Sequence, residues 1–120
     1  MVDQYNVSSG PFTVVDFKPL VPPKEMQQNA QSAAAFLKTL AHEGRLMILC
    51  HLGNGERSVG ELEALLDMRQ AAVSQMLARL RDEGLVATRR DGKAVYYSLA
   101  NDQVSEVIAL LYRQFCEPNS

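Results

Sequence analysis

The sequence predicts a mainly α-helical chain with one small β-hairpin, on three observations. Residues 70–83 set Val73, Leu77 and Leu80 at spacings of four and three, the period of a helix with one buried face. Gly84 stops that helix, and two strand-like runs, 85–90 and 94–99, follow with Asp91-Gly92-Lys93 as turn chemistry between them. Ahead of it, Ser58 and Glu61 stand three apart, a capping-box pattern opening a short helix through Leu62, Leu65 and Leu66.

Taken in order, residues 1–23 hold Ser8-Ser9-Gly10-Pro11, Pro19 and Pro22-Pro23 without a sustained apolar period, so a flexible tail is expected there, with Val14, Val15 and Phe17 able to dock. One domain is expected over 24–117. Within 24–41, Ala30, Ala33, Ala34, Leu37, Leu40 and Ala41 recur at helical spacing, and their small size suits a dimer-forming first helix. A second helix over 43–52 sets Leu46, Leu49 and Cys50 on one side, Gly53 stands where a C′ glycine ends it, and Asn54-Gly55 turns the chain. After the short third helix, Met68-Arg69 makes a tight turn into the fourth, whose outward N-terminal half shows Gln70, Ala71, Ser74 and Gln75. Asn101 or Asp102 caps a last helix carrying Val104, Val107, Ile108, Leu111 and Phe115, which Pro118 ends. Four helices, a basic hairpin and a fifth helix, in this order, make a winged helix-turn-helix (α1-α2-α3-α4-β-wing-α5).

At 120 residues and 47% hydrophobic the chain fits one ordinary core, and domains of this size gain burial by dimerising. No apolar run approaches the roughly 18–20 residues that cross a bilayer, and no signal-peptide pattern is present, so no membrane partner and a cytoplasmic location are expected. The net charge of −2 is divided unevenly: residues 69–93 hold six basic side chains (Arg69, Arg79, Arg81, Arg89, Arg90, Lys93) against three acidic ones (Asp82, Glu83, Asp91), or +3 there against −5 elsewhere. Charge alone would fit a solvated helix and hairpin; local excess on these particular elements fits a polyanion.

A helix enters the major groove, where glutamine pairs with adenine, serine with several base edges, and alanine touches a thymine methyl; Gln70, Ser74, Gln75 and Ala71 (or Ala72) stand in those places. Arg69, Arg79, Arg90 and Lys93 would hold phosphates, adding affinity without sequence information. Singly each residue reads as helix surface. The ordered set points to double-stranded operator DNA.

The run Leu37-Lys38-Thr39-Leu40-Ala41-His42-Glu43-Gly44-Arg45-Leu46-Met47-Ile48-Leu49 resembles the opening of ArsR/SmtB-family winged-helix repressors, as do Ala72-Val73-Ser74-Gln75, Leu77, Leu80, Gly84-Leu85-Val86 and Tyr96-Tyr97. The likeness covers about residues 33–115. It implies a homodimer, formed by the first and last helices, that occludes an operator until an inducer releases it. Met76 stands where many members carry histidine, so nothing is carried over for that side chain.

Metal-sensing members place paired cysteines on the third helix or histidines and carboxylates on the last, because transition metals need several convergent ligands. Here the third helix has no cysteine, and the last offers Asp102, Glu106 and Glu117 without a histidine; His42 and His51 lie on or beside the second. No cofactor or metal is expected, although Cys50, His51 and Cys116 leave one ligand set open. The placement of Cys50 and Cys116 is similar to the SqrR/BigR-type persulfide- and oxidant-responsive branch, where one cysteine on each of these helices forms a link within the subunit. That resemblance implies a redox sensor, Cys50 with Cys116, answering to a reactive sulfur species or another oxidant.

By itself Cys50 reads as a small buried apolar residue and Cys116 as an exposed thiol near a chain end. Both stand near helix C-termini, where the partial negative charge disfavours a thiolate, with His51 and Arg113 to offset it. Cys50 is expected to attack first and Cys116 to resolve, giving a di- or polysulfide. Other readings stay open: a metal-responsive or constitutive repressor, a winged helix that binds protein instead of DNA, and a small thiol-transfer enzyme. The enzyme reading lacks Cys-x-x-Cys, a helix N-terminal thiol and any triad pattern.

Overall fold

The computed structural model describes residues 21–117, in the order α1 (Pro23–Leu40), α2 (Glu43–Leu52), β1 (Arg57–Ser58), α3 (Val59–Leu66), α4 (Gln70–Asp82), β2 (Val86–Asp91), β3 (Ala94–Leu99) and α5 (Asp102–Phe115). Except for residues 21–23, the expected tail lies outside the described residues, as does Pro118. The chain divides into two units, Met1–Ser32 and Ala33–Ser120. In the first, Pro23 opens α1 at a position where the missing N–H of proline costs nothing, and the Met26 N–H donates to the Pro22 carbonyl.

In the second unit, Ile48, Leu49 and Leu52 of α2 meet Leu62 and Leu66 of α3, Val73, Leu77 and Leu80 of α4, Leu85 and Val86 at the wing root, and Val104 and Ile108 of α5. The spacing of four and three in α4 therefore does face the core: Val73, Leu77 and Leu80 are each 0% exposed. Ser58 closes the expected capping box, its hydroxyl accepting from the Glu61 N–H at 3.2 Å while the Glu61 carboxylate accepts from the Ser58 N–H at 2.8 Å. Because Ser58→Ala leaves the Glu61 N–H without its acceptor, it is expected to lower unfolding free energy by about 1 kcal/mol, read from urea titration at fixed protein concentration.

Several elements differ from expectation. The sheet has three antiparallel strands in the order β1-β3-β2, because Arg57 and Ser58 pair with Tyr97 and Tyr96 across a long sequence gap. Gly53 caps α2 in ordinary right-handed backbone (φ −62), and the positive φ that glycine supplies falls instead at Gly55 (φ 132). Leu46 and Cys50 are only half-buried; Gly44, Ile48, Leu49 and Leu52 form the inner face of α2. Leu40 at the end of α1 is buried in the core, whereas Ala33, Ala34 and Leu37, on the face expected to meet a second copy, are exposed in the protomer. Along α5 the apolar stripe outruns the core, which ends at Ile108, so Phe115 is 81% exposed.

Candidate functional site

Asp67 ends α3 in left-handed backbone (φ 54), a conformation aspartate tolerates, and three residues carry the chain into α4. α4 then presents Gln70 at its exposed start, Ala71 and Gln75 away from the core, and Ser74 partly, with exposed Arg69 at the N-cap. Arg79 continues the Gln75 face one turn on, where its guanidinium pairs with Glu83 at 3.3 Å. Exposed pairs of this kind contribute little and exchange readily for a stronger acceptor.

In the wing, Gly92 takes φ 65 as the first of two turn residues, and Arg90 and Lys93 are exposed around it. Arg89 is committed elsewhere. Its Nε and an Nη donate to the two carboxylate oxygens of Glu56, both at 2.8 Å, and its guanidinium lies 5.0 Å from the centre of the Tyr96 ring. Those hydrogen bonds hold the Glu56 carboxyl below its ordinary range, partly opposed by desolvation. Strand alternation puts Arg90 on the other face from Arg89. Sequence reading missed the Glu56–Arg89 fork, since the partners are 33 residues apart.

The two thiols, both free, border one cavity between α2 and the end of α5. Cys50 is half-buried, Cys116 is exposed as the C-cap of α5, and both line one cavity of about 410 Å³ with Leu46, Met47, His51 and Tyr112. Cys50, Asn54 and Tyr112 also border a second cavity of about 320 Å³ that follows α5 past Ala109 to Arg113 and Glu117. Met47 and Tyr112 were legible in principle, lying three residues before Cys50 and four before Cys116 on the same helix faces. Among the described residues no three of histidine, cysteine, aspartate and glutamate converge as metal ligands, so Cys50, His51 and Cys116 share a cavity without forming a ligand set.

Burial, and after it the charge of Cys116, push the Cys50 thiol up. A half-buried sulfur ionises reluctantly, whereas Cys116 is open to solvent. Alkylation of Cys50 by neutral iodoacetamide is expected to reach half its limiting rate above the roughly 8.5 of a free cysteine. In Cys116→Ser that midpoint is expected to fall, yet stay high, because desolvation is the larger cause. A midpoint unmoved by Cys116→Ser would mean the two sulfurs do not sense each other.

The bacterial regulatory protein, arsR family, model matches residues 42–88, which hold α2 to the start of the wing. The biofilm growth-associated repressor of Agrobacterium fabrum is 50% identical over 98 residues, covering 82% of this chain and 84% of that protein. The transcriptional activator HlyU of Vibrio cholerae is 46% identical over 96 residues, covering 80% and 89%. Among solved structures, reduced HlyU from Vibrio cholerae superposes with a TM-score of 0.75 at 46% identity, over 78% of this chain and 99% of that one. The transcriptional repressor BigR from Xylella fastidiosa gives a TM-score of 0.74 at 40% identity, over 82% and 100%. With a helix-turn-helix, a wing and regulators of transcription as its relatives, the chain belongs to the arsR family of bacterial regulatory proteins.

Proposed function

We propose that this protein is a homodimeric transcriptional repressor that holds operator DNA while its thiols are reduced and lets go when reactive sulfur links Cys50 to Cys116. The observation that carries the reading is the shared cavity: thiols 66 residues apart in sequence line one space between α2 and α5. Relatives named as a repressor and an activator make the sign of regulation our own reading, and the naming of one solved relative as reduced is in keeping with a redox cycle.

The chemistry balances without an added oxidant. A cysteine thiolate attacks the outer sulfur of a persulfide R–S–SH, the donor S–S bond breaks, RS⁻ leaves and takes a proton from water, and a protein –S–SH remains. The second thiolate attacks the sulfur next to the terminal one and displaces HS⁻, closing a disulfide; each additional sulfur loaded beforehand lengthens the bridge by one. Sulfane sulfur is thus the electron acceptor and leaves as hydrogen sulfide.

In the operator complex, Gln70, Ala71, Ser74 and Gln75 face base edges while Arg69, Arg79, Arg90 and Lys93 meet phosphates, a reading supported by their being exposed, Ser74 partly, on α4, its N-cap and the wing. Dimerisation is supported by Leu37 of α1 and Leu110 and Phe115 of α5, large apolar side chains left exposed in one protomer, and by the overhang of the α5 stripe beyond its own core. A half-site spacing of about 34–36 Å is required of the two α4 helices. Bridging α2 to α5 ties the reading head to the dimer helix and so biases that spacing. Intact-mass analysis beside operator titration tests the reading: release must track the cross-linked species within one chain, and release with both thiols still free would overturn it.

A further inference from the structure

Resting on that reading, we infer that the cavity along α5 is a binding site for the sulfur donor, selecting low-molecular-weight persulfides with a zwitterionic amino-acid head. This cavity, about 320 Å³, has Cys50 at one place in its wall and Arg113 and Glu117 at others. Its size is at the small end of ligand pockets and suits a metabolite. Among the described residues the ion pairs are Arg79–Glu83 and Arg89–Glu56, which leaves the opposite charges of Arg113 and Glu117 to outside partners. Arg113 in the last turn of α5 and Glu117 just past its end offer a cation for a carboxylate and an anion for an ammonium, and Asn54 adds an amide that donates and accepts. Ile108, Ala109 and Tyr112 supply the apolar floor between head and sulfur.

The same site resolves the difficulty with Cys50. Its thiol is half-buried and disfavoured as an anion, so a donor in free solution reacts poorly there. A donor held by its head group is presented at high effective concentration, and positioning replaces intrinsic nucleophilicity. The bound persulfide gives its outer sulfur to the Cys50 thiolate, the donor S–S bond breaks, and the carrier leaves as its thiolate, to be protonated by water. Inorganic hydrogen disulfide has no head to hold and gains nothing from the cavity.

The full reduced chain carrying Cys116→Ala isolates the first step, and sulfur addition to Cys50 is followed by intact mass with cysteine persulfide or with inorganic disulfide. Expected is a rate that saturates with cysteine persulfide, stays linear with inorganic disulfide, and falls about tenfold in Arg113→Gln for cysteine persulfide alone, with Arg113→Lys recovering much of the loss. Arg113 is exposed, so its replacement leaves the core intact. Equal behaviour of the two donors, or an Arg113→Gln effect on both, overturns the donor site while leaving the dithiol switch standing. No addition to Cys50 from either donor overturns both.

Discussion

Replacing Cys50 by serine is expected to leave reduced operator affinity within about twofold of the parent and to abolish release by persulfide altogether. Serine keeps the volume and cannot form a sulfur–sulfur bond, so nothing ties α2 to α5. At a half-buried helix position the exchange disturbs packing little, since Ile48, Leu49 and Leu52 make the inner face. The effect in the parent has to be large to be useful: moving operator occupancy from 99:1 to 1:99 takes about 5.5 kcal/mol of differential stabilisation, near a 10⁴-fold change in affinity. A cross-link between two packed helices acts on the whole reading head, which is the scale such a change needs. Cys116→Ser is expected to lose release equally while still accumulating added sulfur on Cys50, so the two variants separate loading from bridging. A Cys50→Ser protein that still leaves DNA on persulfide treatment would show that another group senses the signal.

Local chemistry was legible and distant chemistry was not. The bounds of α2, the Ser58–Glu61 box, the stop at Gly84 and the hairpin around Gly92 each follow from residues within a turn of one another, and the structure has them. The inner face of α2 was not legible, because Leu46, Met47, Ile48, Leu49, Cys50 and Leu52 are apolar around nearly the whole helix, which leaves its period unable to choose a face. The period of α5 was legible and the reach of the protomer's core was not: Phe115 continues the stripe of Val104 and Ile108, but the protomer has no core left beneath it. Strand β1 is two residues made by Tyr96 and Tyr97, and no pattern within two residues announces a strand. The pairing of Cys50 with Cys116 was suggested only by the family resemblance and by no local pattern, because the walls of their cavity come from two helices far apart in sequence.

The second large effect is expected at the reading surface, where Gln75→Ala and Arg90→Ala should fail differently. Gln75 is exposed on α4 at the level of Ser74, away from the buried Val73 and Leu77, so truncating it changes what the groove meets and not how the helix packs. Loss of a bidentate base contact costs about 1–3 kcal/mol, and a two-fold dimer loses it in both half-sites, giving about 2–6 kcal/mol on the operator and little on unrelated DNA. Arg90 points from the wing on the face opposite the Arg89–Glu56 fork, with its charge uncommitted among the described ion pairs. Removing it takes one phosphate contact from each protomer, so binding weakens alike on operator and random duplex, and the slope of log K against log salt shrinks by about 1.8. Titrations at several salt concentrations, on operator and on scrambled duplex, read both signatures at once. An Arg90→Ala protein with an unchanged salt slope would take the wing off the phosphate backbone, and a Gln75→Ala protein that discriminates as before would take the α4 surface off the base edges.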